Sequence, residues 1–316
     1  MSGLKLSRDV THEVVCILKD MSHLVVRIHV SRISLNRPEV TTSGIPYVFA
    51  DKRGQWVGAA GSGRVRGVYA TKGGHWDGCP LTGQSGDATG VVNSAHRQGS
   101  CWLIEIQTVR HVVFDSFEAE NCKVVFWDEH VDGSGAVVDG EKVEVVTEAG
   151  GRVGRACTEE DSCYLYVYTH NEALVGRIKA LCGKWRTMKE RLVELVNLKG
   201  DKADDFDKAT NDLHKTNLDT SDTKLMQRNV SKVVVIAHGH GKTKQITFGD
   251  LINKGGTHEE TLEHSSATCA GSSGGLIFPI IDKHEDRLRR KDYHSYSHSG
   301  AKVNGSGISA DWSTSC

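Results

Sequence analysis

Two short segments carry residue types that can act together as nucleophile and base. The stretch ATCAGSSGGLIFP (267–279) places two serines among glycines directly before an apolar run. Glycines let the backbone bend sharply and approach other groups closely, because they carry no Cβ. Such a loop can present the hydroxyl of Ser273 together with nearby amide groups. A serine hydroxyl is a poor nucleophile at neutral pH unless a base, most often histidine, takes its proton.

The candidate base is His111, which follows the strand-like run CWLIEIQT (101–108). A histidine on a short turn after a strand is held by the sheet and open to a cleft. Taken alone, His111 is more typical of an ordinary half-buried histidine than of a catalytic base. The pair of His111 and Ser273 predicts attack by a hydroxyl on a carbonyl carbon, with the imidazole as general base.

The two segments resemble the motifs of the chymotrypsin/trypsin-like serine proteases, the PA clan. The first motif is Gly99-Ser100 followed by TVRHV (108–112), and the second is CAGSSGG (269–275). The resemblance covers about residues 55–170 and 229–316, and is greatest for the intracellular, bacterial and viral members of the family.

This resemblance implies an all-β fold of two six-stranded-type β-barrels with a cleft between them. Ser273 would attack the scissile carbonyl and His111 would accept its proton. The amides of Gly271 and Ser273 would form the oxyanion hole. Ala267 would lie at the base of the primary substrate pocket, with His294 or His298 on one wall.

The family also carries an aspartate that orients the histidine. After the strand-like run SCYLYVYT (162–169), the register places Asn171 at this position. An amide there favours the wrong imidazole tautomer and lowers the rate roughly 10⁴-fold, so Asn171→Asp is expected to raise activity. Asp161, Glu172 and Asp128 are the alternative acidic members.

Short apolar runs separated by turn residues make up most of the chain, which predicts β-structure. Six runs precede residue 170 and four follow residue 230, at 24–30, 56–70, 101–108, 123–128, 141–149, 163–169, 232–238, 244–252, 275–281 and 293–300.

Between these two groups, apolar residues recur at alternating steps of four and three from Leu174 to Leu195. This spacing predicts an inserted amphipathic helix. Two alternatives remain for its apolar side: it packs on the protein's own surface, or it forms a short coiled coil with a protein partner.

The predicted organisation is an N-terminal extension (1–54), a first β-barrel (55–170), a helical insertion and linker (171–228) and a second β-barrel (229–316).

The composition excludes several function classes. The 316 residues are 38% hydrophobic and 25% charged, with a formal net charge of −1, so neither nucleic acid nor a membrane surface is expected as a partner. No signal peptide or membrane-spanning run is apparent, which favours a cytoplasmic location with free cysteines. No metal or cofactor is expected, and VVVIAHGHGKTKQ (233–245) lacks the first glycine and the following helix of a nucleotide-binding loop.

Two functions follow from these observations. The first is a serine endopeptidase that hydrolyses peptides or proteins through Ser273 and His111. The alternative is a catalytically inactive relative that binds peptides or partners, an alternative suggested by Asn171.

Overall fold

The structure is a computed structural model that describes residues 8–41, 44, 46–71, 100–128, 136–138, 141–157, 161–197, 232–254, 261–280, 296–301 and 307–310. This part of the chain is mostly β-structure with three α-helices, in agreement with the all-β prediction at this level. The helices are α1 (Arg8–Ser22), α2 (Ser116–Glu120) and α3 (Glu172–Asn197). Short 3₁₀ turns occupy Ala50–Lys52 and Gly239–Gly241.

The strands fall into a group before α3 and a group after it. The first group is β1 (Val25–Arg32), β2 (Trp56–Ala70), β3 (Trp102–Val109), β4 (Cys122–Phe126), β5 (Ala136–Val138), β6 (Glu141–Val143), β7 (Val146–Ala149), β8 (Arg152–Cys157) and β9 (Ser162–Thr169). The second group is β10 (Lys232–Ala237), β11 (Gln245–Lys254), β12 (Thr261–His264), β13 (Leu276–Ile280), β14 (Tyr296–Ala301) and β15 (Gly307–Ala310).

The first sheet has seven antiparallel strands in the order β7-β4-β1-β2-β3-β9-β8, and β5 and β6 form a separate hairpin. Its ladder does not close among the described residues, because β7 and β8 are edge strands; the predicted first barrel is therefore seen as an open sheet. The sheet is curled, since Thr169 Oγ1 on β9 donates to the Glu148 carboxylate on β7 at 2.8 Å.

The predicted boundary at residue 55 is wrong for this sheet. Strand β1 lies inside the predicted N-terminal extension, yet it pairs with β2 on one side and β4 on the other. Its alternating buried side chains belong to the main core, including Val26, Ile28 and Val30. The first sheet therefore begins at Val25, and the segment from 33 to 55 connects two of its central strands.

The second sheet is a ring of six strands in the order β10-β11-β12-β15-β14-β13, with β13 pairing back to β10. The element that follows the Gly239–Gly241 turn is strand β11 and not a helix. This agrees with the prediction that the turn lacks the following helix of a nucleotide-binding loop.

Helix α3 joins the two sheets through its apolar side. Leu174, Ile178 and Leu181 are buried in the core of the first sheet, and Leu192 and Leu195 are buried with α1 and with side chains of β10 and β13. The chain's own elements therefore cover the predicted apolar stripe. No apolar stripe of α3 is left exposed for a coiled coil with a partner in the described part of the chain. The alternative, in which the helix packs on the protein itself, fits the structure.

Polar contacts hold the two sheets against each other near the Gly239–Gly241 turn. Arg27 on β1 forms an ion pair with Asp128 at 2.6 Å and donates from Nη1 to the Gly241 carbonyl at 2.8 Å. Lys244 Nζ donates to the carbonyl of Ser22 at the end of α1, at 2.6 Å. None of the helices in the described part combines the length and the apolar character needed to cross a bilayer.

Candidate active site

His111 is bound on two sides by one carboxylate, that of Asp161. The imidazole Nδ1 lies 2.6 Å from Asp161 Oδ2, and the backbone N–H of His111 donates to Asp161 Oδ1 at 3.0 Å. The N–H of Arg110 donates to the Asp161 carbonyl at 3.0 Å. Because a carboxylate only accepts hydrogen bonds, this contact places the ring proton on Nδ1 and leaves Nε2 as an acceptor.

The pairing of β3 with β9 explains why these two residues meet. Val109, at the end of β3, lies opposite Ser162, at the start of β9. Antiparallel pairing therefore brings the residues after Val109 beside the residue before Ser162. Asp161 has φ +50°, a left-handed conformation that aspartate tolerates better than most residues.

Asn171 is not placed beside the imidazole, which corrects the register prediction. It follows β9 at the opposite end from Asp161, and its side-chain oxygen accepts the N–H of Leu174 at 2.9 Å. That contact is an N-cap of α3, which satisfies one of the free amides of the first helical turn. The other acidic candidates are also elsewhere: Glu172 lies in the first turn of α3, and Asp128 pairs with Arg27.

A pair of substitutions at Asn171 separates capping from catalysis. We expect Asn171→Asp to leave both stability and reactivity unchanged, because aspartate caps helices as well as asparagine does. We expect Asn171→Ala to lower the free energy of unfolding by about 1 kcal/mol through the lost cap. Urea unfolding measures the second effect, and an increase in reactivity of Asn171→Asp by orders of magnitude would contradict this placement.

The loop that carries Ser273 requires glycine at two points. Gly271 has φ +89° and Gly274 has φ +82°, values that favour glycine. A Cβ on Gly274 would lie 2.0 Å from the Ser62 carbonyl oxygen and 2.3 Å from Thr108 Oγ1. The loop is thus packed directly on β2 and on the end of β3, three residues before His111.

Ser62 on β2 makes four hydrogen bonds, two of which bind the backbone of this loop to the first sheet. Its N–H donates to the Ser273 carbonyl at 2.7 Å, and its hydroxyl donates to the Gly271 carbonyl at 2.8 Å. The same hydroxyl accepts the His238 N–H at 2.8 Å, and its carbonyl accepts from Thr108 Oγ1 at 2.7 Å. Ser62 could not be predicted from the sequence, because nothing in its local sequence distinguishes it from any other serine in a strand.

The turn that carries His111 and the loop that carries Ser273 contact two adjacent residues of β2. A Cβ on Gly61 would lie 2.4 Å from the side chain of Val112, which follows His111, and Ser62 binds the Ser273 backbone. Among the described residues, no hydrogen bond joins the Ser273 hydroxyl to the imidazole; such contacts are often long in ligand-free enzymes and shorten when substrate binds.

The two amides predicted to form an oxyanion hole donate no backbone hydrogen bond within the described part of the chain. Among the backbone hydrogen bonds of the described residues, none is donated by the N–H of Gly271 or of Ser273, whereas the N–H groups of Ser272 and Gly275 close turns inside the loop. Two N–H donors beside the Ser273 hydroxyl are the arrangement that stabilises a developing oxyanion.

A buried ion pair supports the backbone of the histidine turn. Arg37 and Glu118 have fully buried side chains and form two hydrogen bonds, of 2.6 and 2.7 Å. The remaining Arg37 nitrogen, Nη1, donates to the His111 carbonyl at 3.0 Å, and Glu118 accepts the N–H of Phe114 at 2.9 Å. Both ends of the turn from 111 to 114 are thus tied to one pair. Burial and the charge of Asp161 raise the pKa of Tyr47, which packs edge-to-face on Phe114.

The predicted substrate-pocket residues are only partly described. Ala267 is exposed and lines a cavity of about 160 Å³ beside the loop, together with Thr268 and Cys269. His298 lies on β14, but its side chain is outside the described part, as are Gly99 and His294. A pocket formed by Ala267 and His298 therefore stays a prediction.

Comparisons with known proteins find structural likenesses among solved structures. No family profile matches the chain, and no curated protein does. The structure resembles one titled "Crystal structure of Deg5" with a TM-score of 0.44 and 13% identity, over 98% of this chain and 92% of that one. At this TM-score and identity, the likeness concerns the course of the chain and says nothing about activity.

Proposed function

We propose that the protein is a serine endopeptidase with a trypsin-like fold, in which the curled seven-stranded sheet and the six-stranded ring correspond to the two barrels. The observation that carries the proposal is the 2.6 Å contact between His111 and Asp161, just beyond the end of β3, the strand whose Thr108 packs against the Ser273 loop. This contact supplies the oriented base that a serine nucleophile requires.

The proposed mechanism uses the geometry as follows. Ser273 Oγ attacks the carbonyl carbon of the scissile peptide while His111 Nε2 accepts its proton. Asp161 keeps the ring proton on Nδ1 and stabilises the imidazolium that forms. The amides of Gly271 and Ser273 donate to the oxyanion, and each such donor contributes about 3 kcal/mol. His111 then returns the proton to the leaving amine, and water repeats the sequence on the acyl-enzyme.

The inactive-homologue hypothesis has lost its main support. It depended on an asparagine at the third position, and Asn171 has a structural role as a helix cap instead.

Labelling with a fluorophosphonate probe tests this proposal. We expect the wild-type chain to be labelled and to cleave an unfolded protein such as casein, and mass spectrometry to locate the adduct on Ser273. Ser273→Ala should lose both activities. The matched control is Ser265→Ala, an exposed serine at the start of the same loop, which should keep both. A well-folded wild-type chain that neither labels nor cleaves would exclude the enzyme and favour the binding function.

A further inference from the structure

Arg64 is a buried cation without a full set of partners. It lies on β2 where that strand passes from pairing with β1 to pairing with β3, and its relative exposure is 7%. Its guanidinium is stacked over the ring of Trp185 on α3, 4.1 Å from the centroid. Its Nε and Nη1 have no hydrogen-bond acceptor among the residues that the structure describes. Burying such a charge without compensation destabilises the folded chain.

The groups around Arg64 are also donors. Gln107, its cross-strand neighbour on β3, is 1% exposed, and its Nε2 has no acceptor in the described part of the chain. The Gln107 oxygen is already occupied by Arg66 Nη1, at 3.3 Å. Lys189 lies on α3 one helical turn after Trp185. Two buried side chains thus hold unused N–H groups within a cluster of three cations.

The charges in this cluster repel one another. Burial lowers the pKa of Arg64, and the charge of Arg66 lowers it further. Burial, Arg64 and Arg66 together lower the pKa of Lys189 to about 8, with Glu190 as an opposing charge. In the described part, no carboxylate is among the charges that act on Arg64. Because arginine keeps its proton at neutral pH, the site has an excess of positive charge.

We propose that Arg64, Gln107 and Lys189 form a binding site for an oxyanion of the phosphate type, between the first sheet and α3. A phosphate group carries more than one negative charge and several acceptor oxygens, so it satisfies both the unused donors and the excess charge. Half-buried Lys189 and exposed Arg66 give this site access to solvent. The site uses neither His111, Asp161 nor Ser273, and it is therefore independent of the proposed hydrolysis.

Thermal unfolding of the full chain with inorganic phosphate tests the proposal. At matched ionic strength, we expect phosphate at tenfold its dissociation constant to raise Tm by about 2 °C relative to chloride. Arg64→Met should lose this shift. In chloride, the same variant should be at least as stable as the wild type, because an apolar side chain replaces an uncompensated buried charge. The matched control is Arg152→Met, which removes an exposed arginine stacked on Tyr166; it should keep the shift.

A Tm that responds equally to phosphate and chloride would overturn the proposal, as would a full phosphate shift in Arg64→Met. If that variant does not fold, Lys189→Gln replaces it; a reduced phosphate shift supports the site, and a full shift overturns it.

The same measurement with adenosine monophosphate and with acetate in place of phosphate identifies the class of ligand. A shift with adenosine monophosphate at lower concentration than phosphate assigns the phosphate group of a larger molecule, and a shift with phosphate at equal or lower concentration assigns the free ion. A larger shift with acetate than with phosphate would contradict a phosphate-type site.

Discussion

Asp161→Asn is expected to lower the rate of fluorophosphonate labelling at Ser273 about 10⁴-fold while the chain stays folded. In the structure the two carboxylate oxygens have different tasks: Oδ1 accepts the His111 N–H and Oδ2 accepts from the ring. An asparagine has only one acceptor oxygen. When that oxygen takes the backbone N–H, the side-chain NH₂ faces Nδ1, so the ring proton moves to Nε2 and the base can no longer accept from serine.

The measurement is the pseudo-first-order labelling rate, together with Tm to establish that each variant is folded. The other two acidic candidates supply matched controls, since neither contacts the imidazole. Glu172→Gln, on the exposed first turn of α3, and Asp128→Asn, at the ion pair with Arg27, should label at the wild-type rate. Wild-type labelling of Asp161→Asn would show that this carboxylate does not act on the histidine during the reaction.

The repeated apolar patterns were the most informative part of the sequence for the fold. The four-and-three spacing from Leu174 to Leu195 corresponds to α3, and alternation in runs such as 101–108 and 163–169 corresponds to β3 and β9. Burial of a continuous face requires this periodicity, so it is visible in one sequence. Strand β8 was missed because none of its residues is buried and most are exposed, so the strand shows no alternation of buried and exposed positions.

The missed strand also explains the error at the third catalytic position. β8 and β9 form a hairpin whose short connection ends at Asp161, so the aspartate comes before its strand rather than after it. When β8 is not recognised, nothing in the sequence shows that the start of the strand at 162–169 lies in a hairpin. The acidic residue is then expected after the end of this strand, where Asn171 stands. The motifs around His111 and Ser273 needed no such pairing, because their glycines and strand context are local.

Residues that act through tertiary contacts had no local signal at all. Ser62 and Arg37 are unremarkable in sequence, and both lie more than 45 positions from the residues that they hold in the structure. Ser62 on β2 donates to the Ser273 loop, and Arg37 in the segment after β1 donates to the His111 turn. Both contacts depend on how these segments pack in three dimensions, which one sequence does not show.

Arg37→Met is expected to lower the free energy of unfolding by about 3–5 kcal/mol, because it leaves the Glu118 carboxylate buried without its counter-ion. The side chains of both partners are fully buried. Urea unfolding measures the loss. Glu118→Gln in the same chain should recover part of it, since the glutamine oxygen still accepts one of the two backbone N–H groups, from Ser34 and Phe114, that Glu118 binds.

The neighbouring Arg53 gives a matched control for this loss. Arg53 pairs with Glu39 at 2.9 Å in the same segment, but the carboxylate side chain is 76% exposed, so Arg53→Met should cost less than about 1 kcal/mol. Arg37→Met should also lower the labelling rate at temperatures where it is folded, because the His111 carbonyl loses its donor and the turn its support. If Arg37→Met destabilises the chain no more than Arg53→Met and labels at the wild-type rate, the buried pair neither stabilises the fold nor positions the histidine.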